Sequence, residues 1–544
     1  MRRHPIKPLA LAFSLANLCF YGVWAYLIPT ADLLWQIRYP PTRRHFLTLM
    51  GCILALTLFF RLVHGIYCNT TLRWFQKGAD SVLIMVTALT LVGPLRDLIP
   101  LLPATFIPFA HKAVLALATL VLVASLLLWH PRLKDWRRPV RHSATLMLSI
   151  LAPLGVLVFA HALYLVWGSP THIQDLDEFA QHGQAHAPTP HQVVMLVFDE
   201  MDYYRVFENR PLDVILPEID RLSHECFSAS QAYSPNTSTT FSFMSILTGR
   251  YVVSKRVLAP TRIAIQWADD PAWAPLHTQT TLFSKLSALG IHSAYISWGA
   301  AYGRMLSKDL AAFYFNAPPP PLTCLPQDKK LTRIAPLALR MFYDMANSFP
   351  GVRKLNLLGY QNYEKYQHFK CVQTALGVGK IWIANPNYEF VLIHVPIPHQ
   401  PFIYDRKHEA FSLNAEATTG YFDNLVYSDW VLGRFRRLME TQDSWDSSTV
   451  IVVADHGWRK AADYDGYQDW RIPFLIKLPS QKQAFSYAAP FNSIVLHQMI
   501  LEFAKGQLTT PSELARWLDE HRLAYQHQQS FEPFLGRTEY AGHE

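Results

Sequence analysis

The chain has 544 residues, half of them apolar, and is too long for one ordinary domain. Its net charge of +8 is unevenly distributed, because residues 1–170 contain sixteen Lys and Arg against four acidic residues. The remainder is mildly acidic and shows no basic stripe, so we expect no nucleic-acid partner. The composition thus divides the chain into a basic, apolar first third and a larger globular part.

The first third contains five apolar stretches, each with the roughly 20 residues that a helix needs to cross a bilayer. The first could be a signal peptide, since Arg2, Arg3 and Lys7 precede it, but no small-residue cleavage site is evident. We therefore predict a membrane domain of five transmembrane helices, with the first helix retained. The five stretches are residues 8–29, 46–67, 81–102, 106–129 and 143–167.

The short loops between these stretches differ in their basic content. With the N-terminus inside, the cytoplasmic segments contain ten Lys and Arg and the opposite loops four. The segment 38–44 is an exception to this bias, because it contains Arg residues but lies on the outer side. The Arg-rich loop 132–141 directly fixes the orientation of the last span. An odd number of spans then places everything after Trp167 outside the cytoplasm.

We predict four parts along the chain. Residues 1–168 form the membrane domain, and residues 169–191, which are polar and rich in Pro and His, form a tether. Residues 192–505 form a globular domain, and residues 506–544 a C-terminal helix and tail.

Three cysteines fall in the outer part, where oxidation is possible, and they allow at most one disulfide. Their spacing fits no zinc motif, and their pairing stays open. They are Cys226, Cys324 and Cys371.

From residue 192 onward, short apolar runs alternate with stretches of helical spacing. Runs of this kind, mostly rich in β-branched residues, are buried on both faces of a parallel sheet. The alternation predicts a doubly wound, mainly parallel α/β fold. The predicted strands are residues 193–198, 293–298, 389–395 and 449–454, and the predicted helices include residues 217–227, 281–289 and 421–438. Thr510, Pro511 and Glu513 form a capping-box start for a last helix.

Two of the predicted strands run directly into acidic residues. The first is followed by Asp199 and Glu200, and the last by Asp455, His456 and Gly457. Ligands bind beyond the carboxyl ends of parallel strands, and a carboxylate after a buried strand needs a partner. Two such ends and a histidine predict a bound cation.

A cluster of hydroxyl side chains opens the helical segment that ends at Gly249. A hydroxyl at a helix N-terminus beside a divalent cation experiences a positive field that favours an alkoxide and an incoming phosphate. The alternative is that Ser238 or Thr239 simply caps the helix.

Together these segments resemble the alkaline phosphatase and sulfatase superfamily over residues 192–505. Thr239 precedes the Thr248-Gly249 pair by nine residues, the spacing that the nucleophile of this superfamily usually has. The matching segments, in order, are VVMLVFDE (193–200), SPNTSTTFSFMSILTGR (234–250), IHVPIPHQPF (393–402), VIVVADHG (450–457) and RIPFLIKLP (471–479).

The resemblance implies roles for particular residues. Asp199, Asp455 and His456 would hold a divalent metal, zinc or manganese, together with Thr239. Thr239 would also be the nucleophile, and His399 would orient or protonate the transferred group. For His399 the alternative is a turn histidine between two prolines.

The sequence departs from the superfamily pattern in two places. Formylglycine sulfatases need a Cys or Ser two residues before a Pro and four before an Arg, but Phe241 and Phe243 occupy these positions after Thr239. Sulfate-ester hydrolysis by that route is therefore not expected. Asp469 is available for a second metal, but no matching histidine is evident.

A membrane domain, a tether and a threonine site resemble the bacterial transferases that move phosphoethanolamine or phosphoglycerol from a phospholipid to an acceptor outside the cytoplasm. The resemblance implies a multi-pass protein of the bacterial inner membrane with a periplasmic catalytic domain, a phospholipid donor and a glycan or lipid acceptor. Hydrolysis by a membrane-bound phosphodiesterase or phosphatase is the alternative, since the same residues serve both reactions. A catalytically silent scaffold or a transporter is a third hypothesis, based on ionisable residues in or near the spans.

Overall fold

The computed structural model describes residues 6–28, 41–98, 137–168, 191–259, 262–316, 334–349, 352–353, 355–415 and 419–526. The contacts within these residues divide them into two units. One unit comprises the described residues up to 168 and those between 334 and 361. The other comprises residues 191–316 and the described residues from 362 onward.

The secondary structure is numbered in chain order. The helices are α1 (Ile6–Cys19), α2 (Tyr21–Leu27), α3 (Arg43–Asn69), α4 (Arg73–Leu98), α5 (Arg137–Gly168), α6 (Pro217–Ser223), α7 (Thr239–Thr248), α8 (Leu282–Ala288), α9 (Tyr302–Leu306), α10 (Ile334–Asn347), α11 (Tyr360–Ile383), α12 (Gly420–Thr441), α13 (Ala461–Asp465), α14 (Leu496–Ala504) and α15 (Pro511–Gln526). The strands are β1 (Val193–Asp199), β2 (Phe227–Ala229), β3 (Ala232–Tyr233), β4 (Val252–Ala259), β5 (Arg262–Trp267), β6 (Asp270–Pro275), β7 (Ser293–Trp298), β8 (Ala312–Asn316), β9 (Phe390–Pro398), β10 (Tyr404–Asp405), β11 (Ala410–Phe411), β12 (Thr449–Ala454), β13 (Phe474–Lys477), β14 (Phe485–Tyr487) and β15 (Phe491–Asn492).

Two helices of the described residues, α3 and residues 139–167 of α5, are long and apolar enough to cross a membrane. The first predicted span corresponds to α1 and α2, which are separated only at Phe20, where the backbone leaves helical geometry (φ −88°, ψ 12°). The third corresponds to α4, which begins earlier, at Arg73. The stretch 106–129 lies outside the described residues. The five-helix membrane domain is therefore not confirmed.

Helix α10 belongs to the same unit as the N-terminal helices. Its Leu337 and Met341 are buried in one apolar cluster with Phe20 of the segment between α1 and α2 and with Leu49 of α3. The ring of Phe342 packs edge-on against Phe20 with centroids 5.3 Å apart. A segment distant in sequence thus completes the core of this unit.

The second unit is built on a mixed eight-stranded sheet in the order β14-β2-β13-β12-β1-β9-β7-β8. Strand β1 lies at its centre and pairs in parallel with β12 on one side and β9 on the other. Strands β7 and β8 continue the parallel part, whereas β13 is antiparallel to both β12 and β2. All residues of β1, β9 and β12 are buried, which explains their largely apolar sequences.

The structure confirms most of the element predictions for this unit. The four predicted strands are β1, β7, β9 and β12, and the mixed sheet agrees with an alkaline phosphatase-like α/β fold. The prediction of a helix over 217–227 was wrong in its end, because α6 stops at Ser223 and Phe227 begins β2. Phe227 pairs with both β13 and β14. This apolar residue therefore belongs to the sheet, although the helical spacing had placed it in the predicted helix.

Helix ends in this unit follow the predicted signals. Gly249 ends α7 in the left-handed conformation at φ 70°, which glycine adopts without steric cost. The Glu513 carboxylate accepts hydrogen bonds from the N–H groups of Thr509 and Thr510 at 3.0 Å, as a capping box requires.

Candidate metal and nucleophile site

Two buried carboxylates meet at the carboxyl end of the central strands. Asp199 is the last residue of β1, and Asp455 follows directly after β12. The parallel register pairs Phe198 with Ala454, so the two aspartates leave neighbouring strands at the same level of the sheet. Both side chains are at most 2% exposed.

One oxygen of each carboxylate is occupied by protein donors. The Trp298 indole Nε1 donates to Asp199 Oδ2 at 2.7 Å. The backbone N–H groups of Glu200 and His456 donate to Asp455 Oδ1 at 3.1 and 2.9 Å. Asp199 Oδ1 and Asp455 Oδ2 are buried without a hydrogen-bond partner in the described part of the chain. These orphaned oxygens are available to a cation.

The His456 ring is oriented toward the same two oxygens. Its Nδ1 lies 2.9 Å from the Gly457 carbonyl oxygen, which places the ring proton on Nδ1 and leaves a lone pair on Nε2. That Nε2 is 3.4 Å from Asp455 Oδ2 and 3.8 Å from Asp199 Oδ1. A backbone partner on the second ring nitrogen is the usual arrangement for a metal-binding histidine.

Thr239 brings a hydroxyl to this cluster from the first position of α7. Its Oγ1 lies 3.2 Å from His456 Nε2. The preceding N-cap residue, Ser238, makes no side-chain capping bond. The capping role considered for these hydroxyls is therefore not what the structure shows, and Thr239 instead faces the candidate ligands.

The donor set fits a divalent metal ion. Asp199, Asp455 and His456 each offer one ligand atom, and these atoms lie within 4.8 Å of one another. Two carboxylate oxygens, an imidazole nitrogen and a nearby hydroxyl are a mixed N/O set that suits zinc or manganese. Asp199, Asp455 and His456 each also form a hydrogen bond through an atom other than the candidate ligand atom, as is usual in functional metal sites.

The two aspartates influence each other's protonation. Burial and the neighbouring Asp455 carboxylate raise the pKa of Asp199 to about 7. Burial also opposes ionisation of Asp455, but His456, His394 and the Thr239 hydroxyl outweigh it and lower the pKa of Asp455. Ionisation of both buried carboxylates is unfavourable without a cation between them, which is a further sign of a cation site.

We predict that the affinity of the site for a divalent cation falls as the pH is lowered below about 7. The raised pKa keeps the Asp199 carboxyl protonated at lower pH, so a cation must displace a proton to bind. Above that pH the carboxylate is free and the affinity levels off. Competition with a chelator across about pH 5.5 to 8.5 measures this dependence, with a slope of up to about tenfold per pH unit. An affinity that stays constant or rises on acidification would contradict the assignment of Asp199.

His399 lies beside this cluster but outside its ligand set. Its backbone N–H donates to the Asp199 carbonyl oxygen at 3.0 Å, and its ring Nδ1 contacts the Gln400 carbonyl oxygen. Desolvation lowers the pKa of His399, but the carboxylates of Asp199 and Glu200 outweigh it, so that the pKa is raised overall. His399 thus lies next to Asp199, and its role toward the transferred group stays a prediction.

Three neighbours of the site were not singled out from the sequence. Trp298 ends β7 at the same sheet edge, so the rule for carboxyl ends of strands could have indicated it. His394 is fully buried in β9, with its Nε2 3.9 Å from Asp455 Oδ2. Arg459 follows the DHG segment by two residues, and its Nε donates to Glu200 Oε1 at 2.6 Å. Nothing in the sequence spacing of Glu200 and Arg459 indicated that these two residues would pair.

Asp469, the residue considered for a second metal, is bound to protein groups. Arg471 donates to its carboxylate through Nε at 2.9 Å and Nη2 at 2.6 Å. Among the described residues, the cluster of Asp199, Asp455 and His456 is the one His, Cys, Asp and Glu group with ligand geometry. Cys226 and Cys371 are buried, and Cys324 lies outside the described residues.

Several solved structures are similar to this chain. A solved structure titled Ps i-CgsB in complex with k-i-k-neocarrahexaose is similar at 16% identity, covering 63% of this chain and 77% of its own, with a TM-score of 0.40. A protein in the alkaline phosphatase superfamily from Vibrio parahaemolyticus is similar at 16% identity, covering 62% and 72%, with a TM-score of 0.36. The phosphonate monoester hydrolase of Agrobacterium radiobacter is similar at 13% identity, covering 59% and 74%, with a TM-score of 0.36.

No curated protein sequence matches the chain significantly. The sulfatase family model matches residues 191–506, which is more than half of the chain and includes every residue of the site. Members of this superfamily use divalent metals, in agreement with the Asp and His cluster. The chain therefore belongs to the sulfatase family.

Proposed function

We propose that this protein transfers a phospho-head group, phosphoethanolamine or phosphoglycerol, from a phospholipid to an acceptor outside the cytoplasm. The observation that carries the proposal is the position of Thr239, whose Oγ1 lies 3.2 Å from His456 Nε2 at the orphaned carboxylate oxygens. A threonine cannot be converted to formylglycine, so the family's sulfatase route is closed at this position. A hydroxyl held at a metal site is instead suited to attack phosphorus.

The reaction proceeds in two displacements. In the first, Thr239 Oγ forms a bond to phosphorus while the bond from phosphorus to the diacylglycerol oxygen breaks, and a proton replaces phosphorus on the departing diacylglycerol. In the second, an acceptor hydroxyl forms the new bond to phosphorus, and Thr239 recovers its proton as it leaves. His399, whose backbone N–H donates to the Asp199 carbonyl oxygen, orients the transferred group.

A bound divalent cation would be held by Asp199, Asp455, His456 and Thr239, and would offset the charge of the nucleophile and of the phosphoryl oxygens. The orphaned carboxylate oxygens and the Nε2 lone pair of His456 face the hydroxyl that reacts. Because Trp298 fixes the other oxygen of Asp199, the carboxylate does not rotate away during the reaction.

The proposal includes a location in the bacterial inner membrane, with the catalytic unit on the periplasmic side. Two long apolar helices of the described residues support membrane anchoring, and the ten-to-four basic bias of the loops supports the orientation. A lipid donor lies at the bilayer surface, where an anchored enzyme meets it at a high effective concentration. The acceptor that fits this scheme is a glycan or a lipid with an accessible hydroxyl.

Full-length protein in lipid nanodiscs tests the proposal with phosphatidylethanolamine or phosphatidylglycerol labelled in the head group. We expect diacylglycerol release to match label transfer to an added acceptor glycan or lipid. Release of free phosphoethanolamine or phosphoglycerol at the same rate with and without acceptors would identify a hydrolase instead. No diacylglycerol release from either lipid, with a metal-loaded protein, would refute both reactions.

A further inference from the structure

An ion pair beside the candidate metal site takes no part in the scheme above. Arg459 Nε donates to Glu200 Oε1 at 2.6 Å, and Arg459 Nη2 donates to His399 Nε2 at 3.1 Å. The Arg459 side chain is 31% exposed, whereas that of Glu200 is 7% exposed. A partly accessible cation is thus tied to a buried carboxylate next to the histidine that is proposed to contact the transferred group.

The position of Glu200 is fixed by the strand end that carries the metal ligands. Its backbone N–H donates to Asp455 Oδ1 at 3.1 Å, and its carbonyl oxygen accepts from the Tyr421 hydroxyl at 2.9 Å. Its φ of 67° lies in the left-handed region, which a residue with a long side chain adopts only when its surroundings hold it there. The carboxylate is therefore built into the site and is not a mobile surface group.

This arrangement determines the charge that meets a substrate. A divalent cation carries two positive charges, which the carboxylates of Asp199 and Asp455 match. Among the described residues, Glu200 pairs with Arg459, the cation that lies beside His399. The charges within this group of described residues balance, so the pair adds no excess positive charge of the kind that a doubly charged anion requires.

We propose that the Glu200–Arg459 pair makes the site selective for singly charged phosphodiesters over doubly charged phosphomonoesters. This inference rests on the proposed function and names the substrate charge that the same site accepts. Arg459 supplies the cation near the transferred group, and Glu200 acts as a positioning residue that offsets its charge. A phospholipid head-group linkage is a singly charged diester, whereas a monoester at neutral pH carries nearly two charges.

Glu200→Gln tests the pair because it keeps the size and the hydrogen-bonding oxygen of the side chain but removes its charge. The substrates are bis(p-nitrophenyl) phosphate and p-nitrophenyl phosphate, assayed with the full-length protein at about pH 8, above the second pKa of the monoester. We expect the ratio of kcat/KM for the monoester to kcat/KM for the diester to rise about tenfold. Asp446→Asn, in an exposed pair with Lys482, makes the same change in net charge and should leave the ratio unchanged.

Arg459→Gln should change the same ratio of kcat/KM values in the opposite direction. The Arg459 side chain is partly exposed, so this variant does not alter a buried position. Removing this cation leaves the Glu200 charge unmatched, so the monoester should lose at least about tenfold more kcat/KM than the diester. If both variants are folded and neither ratio moves in its expected direction, the inference is overturned.

Binding of inorganic phosphate separates this inference from the proposed function. In the Thr239→Ala background, calorimetry at about pH 8 should show that Glu200→Gln binds phosphate about tenfold more tightly, because phosphate is then mostly doubly charged. Unchanged phosphate affinity would refute the charge selection even if the enzyme cleaves diesters. Absence of diester cleavage with a tenfold gain in phosphate affinity would instead refute the proposed reaction and retain the selective pair.

Discussion

Thr239→Ala should reduce turnover by several orders of magnitude, because the covalent route through its hydroxyl is lost. The fold should be nearly unaffected. The main polar contact that disappears is the one between Oγ1 and His456, and Ser238, not Thr239, occupies the N-cap position of α7. We expect a loss of about 1 kcal/mol or less in the free energy of unfolding. Steady-state kinetics with a lipid-like phosphodiester and a denaturation curve measure both effects.

The neighbouring Thr240→Ala variant is the matched control for this prediction. Successive residues of a helix point about 100° apart, so the Thr240 side chain leaves the helix in another direction. The Tyr302 hydroxyl donates to the carbonyl oxygen of Thr240 at 3.0 Å, and this backbone contact survives truncation of the side chain. Turnover by Thr240→Ala should stay within about tenfold of the wild-type value. Near-normal turnover by Thr239→Ala, or trapped phosphate on Thr237, Ser238 or Thr240 in mass spectra, would contradict the assignment.

Asp455→Asn should empty the metal site and abolish activity. The backbone N–H groups of Glu200 and His456 both donate to Asp455 Oδ1, so an asparagine must place its carbonyl oxygen toward them. Its amide NH2 then replaces Oδ2, and a nitrogen that carries two hydrogens has no lone pair to offer a cation. Elemental analysis after metal-supplemented purification should fall from about one equivalent to below about one tenth.

Asp469→Asn serves as the comparison for metal content. Asp469 is also a nearly buried aspartate close in sequence to the DHG segment, but its carboxylate is taken by Arg471. This variant should keep about one equivalent of metal, although losing a charged partner of Arg471 should lower its stability by about 1–3 kcal/mol. Equal metal loss in both variants, or full metal content in Asp455→Asn, would refute the proposed ligand set.

The positions of the central strands could be predicted from the sequence because their physical cause is local. An apolar run such as 193–198 or 449–454 has no polar face, so it must be buried on both sides, and a parallel sheet does this. The carboxyl ends of such strands share one edge of the sheet, so the sequence alone predicts that Asp199 and Asp455 lie close together. Gly249 and the capping box at Thr510 likewise depend only on backbone geometry within a few residues.

Other parts of the structure depend on contacts that no local pattern contains. The order of the strands puts β9 between β1 and β7, and this order decides that the Trp298 indole reaches Asp199 across 99 positions of sequence. The packing of α10 in the unit of the N-terminal helices depends equally on distant partners, since Leu337 and Met341 contact residues more than 250 positions earlier.

The sequence by itself determined the α/β class, the strand ends that carry Asp199 and Asp455, and the hydroxyl-rich start of α7, because apolar periodicity and capping chemistry act over a few residues. The tertiary structure alone decided which atoms of those residues remain available. Trp298 and backbone N–H groups each occupy one carboxylate oxygen, and Glu200 offsets Arg459. Hydrogen bonds and ion pairs between distant residues form only after the strands are ordered and the side chains are oriented, so spacing along the chain does not encode them.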